Sequence, residues 1–262
     1  MAKVYERIAD AIREEIRAGQ RRPGDRFPPE TALAEAFGAS VPTVRQAIGV
    51  LESEGLVERQ HGRGTFVRRE RAKVVRDGAR HQWEKDRARE PEPERRRTGA
   101  TERDTDLTIG DLVFEAKYAQ VPADEDLAGA FGVPVGTILL RRTYGTRHRD
   151  ERAPFNRARS YLVLDMVSGN PDLLREDQEP WPGGTQNQLW TVGIEVDRIV
   201  ETFRARPPTP EETEDLGLAA GVSVIILQKV SIDTSGRVVE VSDVVLPGDR
   251  TEMTFTTKLT RW

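Results

Sequence analysis

The chain has no cysteine and only three histidines among its 262 residues. Without cysteine there can be no disulfide, no thiolate-held metal and no cysteine nucleophile. The histidines, His61, His81 and His148, lie far apart in the chain. None sits beside a serine at a nucleophile elbow, and none joins Asp or Glu at the spacing of a metal site. Neither metal nor cofactor is therefore expected. No stretch approaches eighteen consecutive apolar residues, so no transmembrane helix is expected. The opening, MAKVYERIADAIREEIRAG, reads as an amphipathic helix without the apolar segment of a signal peptide. A soluble cytoplasmic protein is the expectation.

There is also no strong net charge, and a value of −4 at first argues against a nucleic-acid partner. The distribution reverses that impression. Residues 1–80 carry 16 Lys and Arg against 12 Asp and Glu, a net of +4; the remainder carries 24 against 32, a net of −8. The basic end is suited to DNA and the acidic end to other work. A chain of this length can bury two modest cores.

Residues 28–67 hold the densest signal. Leu33, Ala34 and Phe37 recur at helical spacing, and Gly38 follows as a helix stop. Ser40 stands where an N-cap is wanted and Pro42 in the first turn, where a missing N–H costs nothing. Val44, Ala47, Ile48 and Leu51 then share one face, leaving Thr43, Arg45 and Gln46 on others. Two short strands follow, Leu56–Arg59 and Thr65–Val67, joined by the basic tip His61-Gly62-Arg63-Gly64. The order is that of a winged helix-turn-helix, whose second helix enters the major groove and whose wing lies against phosphates or a minor groove. Gly62 and Gly64 alone are too few for a nucleotide-binding loop.

Residues 69–106 break the composition, with many charges, few apolar groups and Trp83 as the one large apolar side chain. A solvated linker or partly helical connector is expected there, interrupted by Pro91 and Pro93. The basic run Arg95-Arg96-Arg97 is expected to be solvated, with a DNA contact as the less favoured reading. Beyond it the pattern alternates. Strands are expected over 113–118, 137–144, 157–164, 198–206, 222–233 and 238–246, with helices over 124–131, 171–176 and 211–216. A hairpin turn is read at Ser235-Gly236, and residues 255–259 are expected to close the sheet. The fold class is α+β: a winged helix-turn-helix over 1–68, a charged linker over 69–106 and a mixed or antiparallel sheet domain over 107–262.

The run from Tyr5, Ile8 and Ile12 through Pro23-Gly24-Asp25, Phe27-Pro28, Leu33-Ala34, Thr43-Val44-Arg45, Gly55-Leu56-Val57 and Gly62–Val67 closely resembles the N-terminal domain of GntR-family bacterial transcription regulators. The resemblance implies a homodimer on a palindromic operator, usually repressing, with Arg45 and the tip His61–Gly64 on DNA. Thr31 and Val41-Pro42 stand where that family often carries basic contacts, so those two contacts change chemistry here; Val41 offers apolar contact to a thymine methyl group. Thr31, Ser40, Val41, Pro42, Thr43, Arg45 and Gln46 with the tip are the DNA-facing candidates.

Ala128, Phe131-Gly132-Val133-Pro134, Leu140-Arg141-Arg142, Arg204-Ala205-Arg206-Pro207, Gly236–Glu240 and Leu246–Arg250 resemble the UTRA effector domain of the HutC branch. That likeness implies a sheet related to the chorismate lyase fold, a small-molecule pocket and no retained catalysis. Such a pocket wants Arg for a phosphate or carboxylate, with hydroxyls and an acid. Arg141 and Arg142 alternate on a strand, so one of them faces it, and Arg142 shares its face with Tyr144. Arg159-Ser160-Tyr161, Arg204, Arg206 and Glu240 complete the effector candidates, and Trp181 and Trp190 are read as cover for a ligand or as packing. A ligand-responsive repressor is the leading function. A lyase-like enzyme and a DNA binder without effector are its rivals.

Overall fold

The computed structural model describes residues 3–60, 62–68 and 71–260. The chain divides into two compact units: residues 1–72 with 207–223, and residues 73–206 with 224–262.

The first unit opens with helix α1 (Val4–Arg17), α2 (Glu30–Phe37) and α3 (Val41–Ser53), followed by the antiparallel pair β1 (Val57–Gln60) and β2 (Gly64–Val67). Gly38 ends α2 with φ +58°, a left-handed conformation that a side chain would strain. Ser40 then caps α3, its hydroxyl accepting from the Thr43 N–H. The expected stripe Val44, Ala47, Ile48 and Leu51 is fully buried with Ile8, Ile12, Phe27 and Leu33.

The second unit begins with β3 (Val74–Asp77), α4 (Arg80–Arg87), α5 (Glu92–Arg95) and α6 (Ala100–Thr105). Of the two forms expected for residues 69–106, a solvated linker or a partly helical connector, the chain takes the second from residue 73, and it is folded. Its charges are satisfied internally: Arg80 pairs with the buried Asp104 at 2.8 Å, and Arg87 donates to the carbonyls of Glu94, Arg95 and Thr98. In the basic run Arg95 donates to the Glu90 and Pro182 carbonyls, while Arg96 and Arg97 pair with Glu92 and Glu94.

The sheet follows: β4 (Leu112–Pro122), α7 (Glu125–Phe131), β5 (Ile138–His148), β6 (Asn156–Val163), α8 (Leu164–Val167), α9 (Gly184–Thr191), β7 (Val196–Arg206), α10 (Pro210–Asp215, in the first unit), β8 (Val224–Asp233), β9 (Val238–Pro247) and β10 (Thr251–Thr254). Six strands form one antiparallel sheet in the order β4-β5-β6-β9-β8-β7. Two expectations need correcting. Residues 171–178 form two short 3-10 turns rather than a helix. Residues 255–259 form no strand; the last strand is β10, which pairs in parallel with β3 and leaves the main sheet open. One sheet face packs on α7 through Leu139, Val163 and Val241. The opposite face carries Leu140 and Leu162, packed with Leu173 and Leu189.

Candidate functional site

The DNA-facing candidates gather at the start of α3. Pro42, Arg45 and Gln46 are exposed, Val41 and Thr43 are half-buried, and Thr31 is exposed on α2. Ser40 is spent on the cap: besides accepting from the Thr43 N–H, its hydroxyl lies 2.8 Å from that of Thr43. Arg45 is held by Glu30, with Nη2 and Nε at 2.8 and 3.0 Å from Oε2. Glu30, on the facing helix, escaped the sequence reading because nothing local marks it as an arginine partner. In the wing, Gly62, Arg63 and Gly64 are exposed. The Arg63 guanidinium lies 5.8 Å from the Phe66 ring centre. His61 lies outside the described residues.

The effector candidates separate by face. Strand alternation puts Arg142, Tyr144, Ser160 and Glu240 on one side. Glu240 is buried in a ring of donors: Ser160 Oγ at 2.7 Å, Ser231 Oγ at 3.0 Å, Lys229 Nζ at 2.9 Å and Arg142 Nη2 at 3.3 Å. Burial by itself raises a carboxyl pKa. Here the Lys229 and Arg142 charges and the Ser160 hydroxyl override it and bring Glu240 down to about 2. Arg142 also donates to Gln188 at 2.5 Å, and among the described residues its Nε has no hydrogen-bond partner. Glu179 gathers the hydroxyls of Tyr118 and Tyr144 (2.5 and 2.9 Å) and the Gln188 amide (3.0 Å). Burial pushes both phenols up, Tyr118 to about 12.

Two abutting cavities open on this face. The larger measures about 990 Å³ and the smaller about 150 Å³, and Arg80, Thr101, Tyr144, Thr185 and Lys229 line both. Tyr144 lines both and Ser160 and Glu240 line the smaller, whereas Arg142 lines neither and holds its partners in place from behind. The remaining candidates lie elsewhere. Arg141, Arg159 and Arg204 are exposed, and Arg141 and Arg159 alternate onto the other face. Tyr161 packs among the α7-side apolar groups. Arg206 is half-buried at the end of β7 and lines neither cavity. Trp181 lines the larger cavity; Trp190 is exposed under Arg89, whose guanidinium lies 4.2 Å from its ring centre. The sequence reading missed Lys229, Glu179, Gln188 and Arg80. Alternation along β8 marks Lys229, but α4 carries no comparable signal.

Among the described residues, no cluster of three or more His, Asp or Glu could hold a metal ion. Among them too, no helix is long and apolar enough to cross a membrane.

Comparison with known proteins gives two family matches. Residues 4–67 match "Bacterial regulatory proteins, gntR family" and residues 116–252 match "UTRA domain". An HTH-type transcriptional regulator of Streptomyces coelicolor is 31% identical over 257 residues, covering 95% of this chain and 90% of that protein. The HTH-type transcriptional repressor PhnF of Mycolicibacterium smegmatis is 29% identical over 244 residues, covering 90% and 84%. The histidine utilization repressor of Klebsiella aerogenes is 46% identical over 66 residues, 25% of this chain and 27% of that one. Among solved structures, a GntR-family transcriptional regulator aligns with a TM-score of 0.60 at 24% identity, covering 98% of each chain. The crystal structure of PhnF aligns at 0.54 and 23%, covering 98% and 100%.

Proposed function

The chain belongs to the GntR family of bacterial transcription regulators, in its UTRA-bearing branch, and from that premise we propose that it is a cytoplasmic, ligand-released repressor. A homodimer places two copies of α3 and the wing on the half-sites of a palindromic operator. Arg45 and Gln46 read base edges, with Val41 against a thymine methyl group, while Arg63 and the wing glycines approach phosphates. A small polar metabolite carrying a phosphate or carboxylate enters the cavity of the second unit. It favours the form that does not fit the operator and so shifts the population away from DNA. The relatives named as repressors support the sign of the response.

One observation carries this reading: the buried groups Arg142, Ser160 and Glu240, with the half-buried Lys229, form the floor and backing of a cavity in a chain that also bears an exposed-arginine helix-turn-helix. Family membership is that of regulators rather than enzymes, so a cavity so equipped is read as a sensor.

Footprinting on the DNA upstream of the protein's own gene, then screening metabolites of neighbouring pathways for release, tests the proposal. Arg45→Ala should weaken operator binding about tenfold or more, the loss of one good base contact, and leave ligand binding intact. Equal loss of both would count against the division of labour.

A further inference from the structure

The two cavities differ in chemistry as well as size. The larger sets flat or branched apolar groups, Trp83, Ile109, Leu112, Phe114 and Trp181, among charged side chains such as Glu84, Arg95 and Glu179. At about 990 Å³ it lies at the top of the range of small-molecule sites, roughly 300–1,000 Å³. A bare oxyanion would leave nearly all of it to water.

The smaller recess is cationic. Arg76, Arg80 and Lys229 line it against the carboxylates of Glu240 and Asp104. Both carboxylates are already engaged: Glu240 by Lys229 and its other donors, Asp104 by Arg80 at 2.8 Å. Arg76 is left with the weakest pairing. It reaches Glu201 Oε1 only at 3.4 Å, and His81 Nε2 already sits 2.9 Å from that same oxygen. Burial and the like charge of Arg80 lower the Arg76 pKa to about 10. The carboxylates of Asp104, Glu201 and Glu84 oppose this without overcoming it, so an added anion stabilises the buried guanidinium.

We propose that the effector is an amphiphilic oxyanion: a carboxylate or phosphate head seated by Arg76, Arg80 and Lys229, borne on a largely apolar, ring-bearing body that fills the chamber beside Trp83, Phe114 and Trp181. The proposal rests on the reading of this cavity as the effector site; it keeps the phosphate or carboxylate of that reading and replaces the polar body by an apolar one. The ring faces favour a flat body, and the recess admits only a compact head.

Calorimetry on the full chain with four probes tests it: 1-naphthyl phosphate, 1-naphthoate, 1-naphthol and inorganic phosphate. At least one naphthyl anion should bind tenfold or more tightly than both naphthol and inorganic phosphate, and the tighter anion names the head. Arg76→Met should cut the preference for that anion over naphthol about tenfold, and Arg76→Lys, which keeps the charge, should retain most of it. Trp83→Ala should weaken the naphthyl anion toward inorganic phosphate. Inorganic phosphate binding as tightly as naphthyl phosphate would overturn the apolar body. Naphthol binding as tightly as the anions would overturn the head, and no binding by any probe would overturn both. A gel shift on the operator separates this from the broader reading. Binding with the stated preferences but no change in DNA affinity would sink ligand release and leave the ligand class standing.

Discussion

At the scale of single residues, charge is tolerated in the interior wherever it is surrounded, and Glu240 is the clearest case. Its carboxyl sits fully buried among two cations and two hydroxyls. Its folded pKa, about 2, lies below the ordinary 4.5. A depressed carboxyl pKa gives stability that is complete above about pH 4.5 and lost as pH falls through about 2. The gap corresponds to about 3 kcal/mol at most, since one pKa unit is about 1.4 kcal/mol. Urea unfolding of the wild type should therefore show stability falling steadily from pH 4.5 to pH 2.5, and Glu240→Gln should flatten that slope while lowering stability at pH 7, where Lys229 and Arg142 lose their counter-charge. Parallel pH curves for the two proteins would remove Glu240 from this role. Arg142 illustrates the complementary point. The most buried arginine of the cavity region is not a lining group but the brace that holds Ser160, Glu240 and Gln188, so its truncation should act through them.

At the scale of elements, α3 shows how one residue serves folding while its neighbours are free for DNA. The Ser40 hydroxyl accepts from the Thr43 N–H, satisfying one of the open donors at the helix start. Ser40→Ala should cost about 1 kcal/mol in chemical denaturation. Ser40→Asp should keep the cap yet bring a negative charge toward phosphates, weakening operator binding without loss of stability. If Asp destabilised as Ala does, the hydroxyl would be working elsewhere than the cap. This helix was legible in the sequence because its apolar stripe and its cap are local patterns, and the same holds for Arg142 and Tyr144, which strand alternation alone puts on one face. The segment after residue 73 was not legible. Its apolar groups are few, and its cohesion comes from Arg80 with Asp104 and from Arg87 with three carbonyls, partners whose pairing depends on the folded backbone. Lys229 was within reach of the sequence, since alternation along β8 and the hairpin at Ser235-Gly236 bring it to the face of Glu240; Glu179 was hidden, because what brings it to Tyr144 is the course of a loop far from β5 in sequence.

At the scale of the whole molecule, the chain crosses between the two units three times: at residue 72, at 206 and at 223. The last two crossings bracket the segment 207–223, which leaves the sheet after β7, packs within the first unit and returns as β8. Within that unit Arg71 donates to the Leu216 carbonyl at 3.1 Å. Gly221, with φ +81°, lies so close to the end of α3 that a Cβ would stand 2.5 Å from the Ser53 carbonyl oxygen. The strands on either side of this segment carry Glu201 and Lys229, groups of the cationic recess and its surroundings. Those strands are covalently continuous with the segment seated against α3, so a ligand that displaces them pulls on that segment. Coupling of about 1–3 kcal/mol would change operator affinity roughly 5- to 150-fold, and reciprocity requires operator DNA to weaken ligand binding by the same factor. Gly221→Ala, which cannot keep this approach without a shift of backbone, should reduce that factor when operator affinity is titrated with and without 1-naphthyl phosphate or whichever metabolite releases the DNA. The affinity of the ligand for the protein free of DNA should stay near wild type, because Gly221 lies in the other unit and lines neither cavity. An unchanged coupling factor in a folded Gly221→Ala protein would exclude the 207–223 segment as the mechanical link and leave the single crossing at residue 72 to carry the signal.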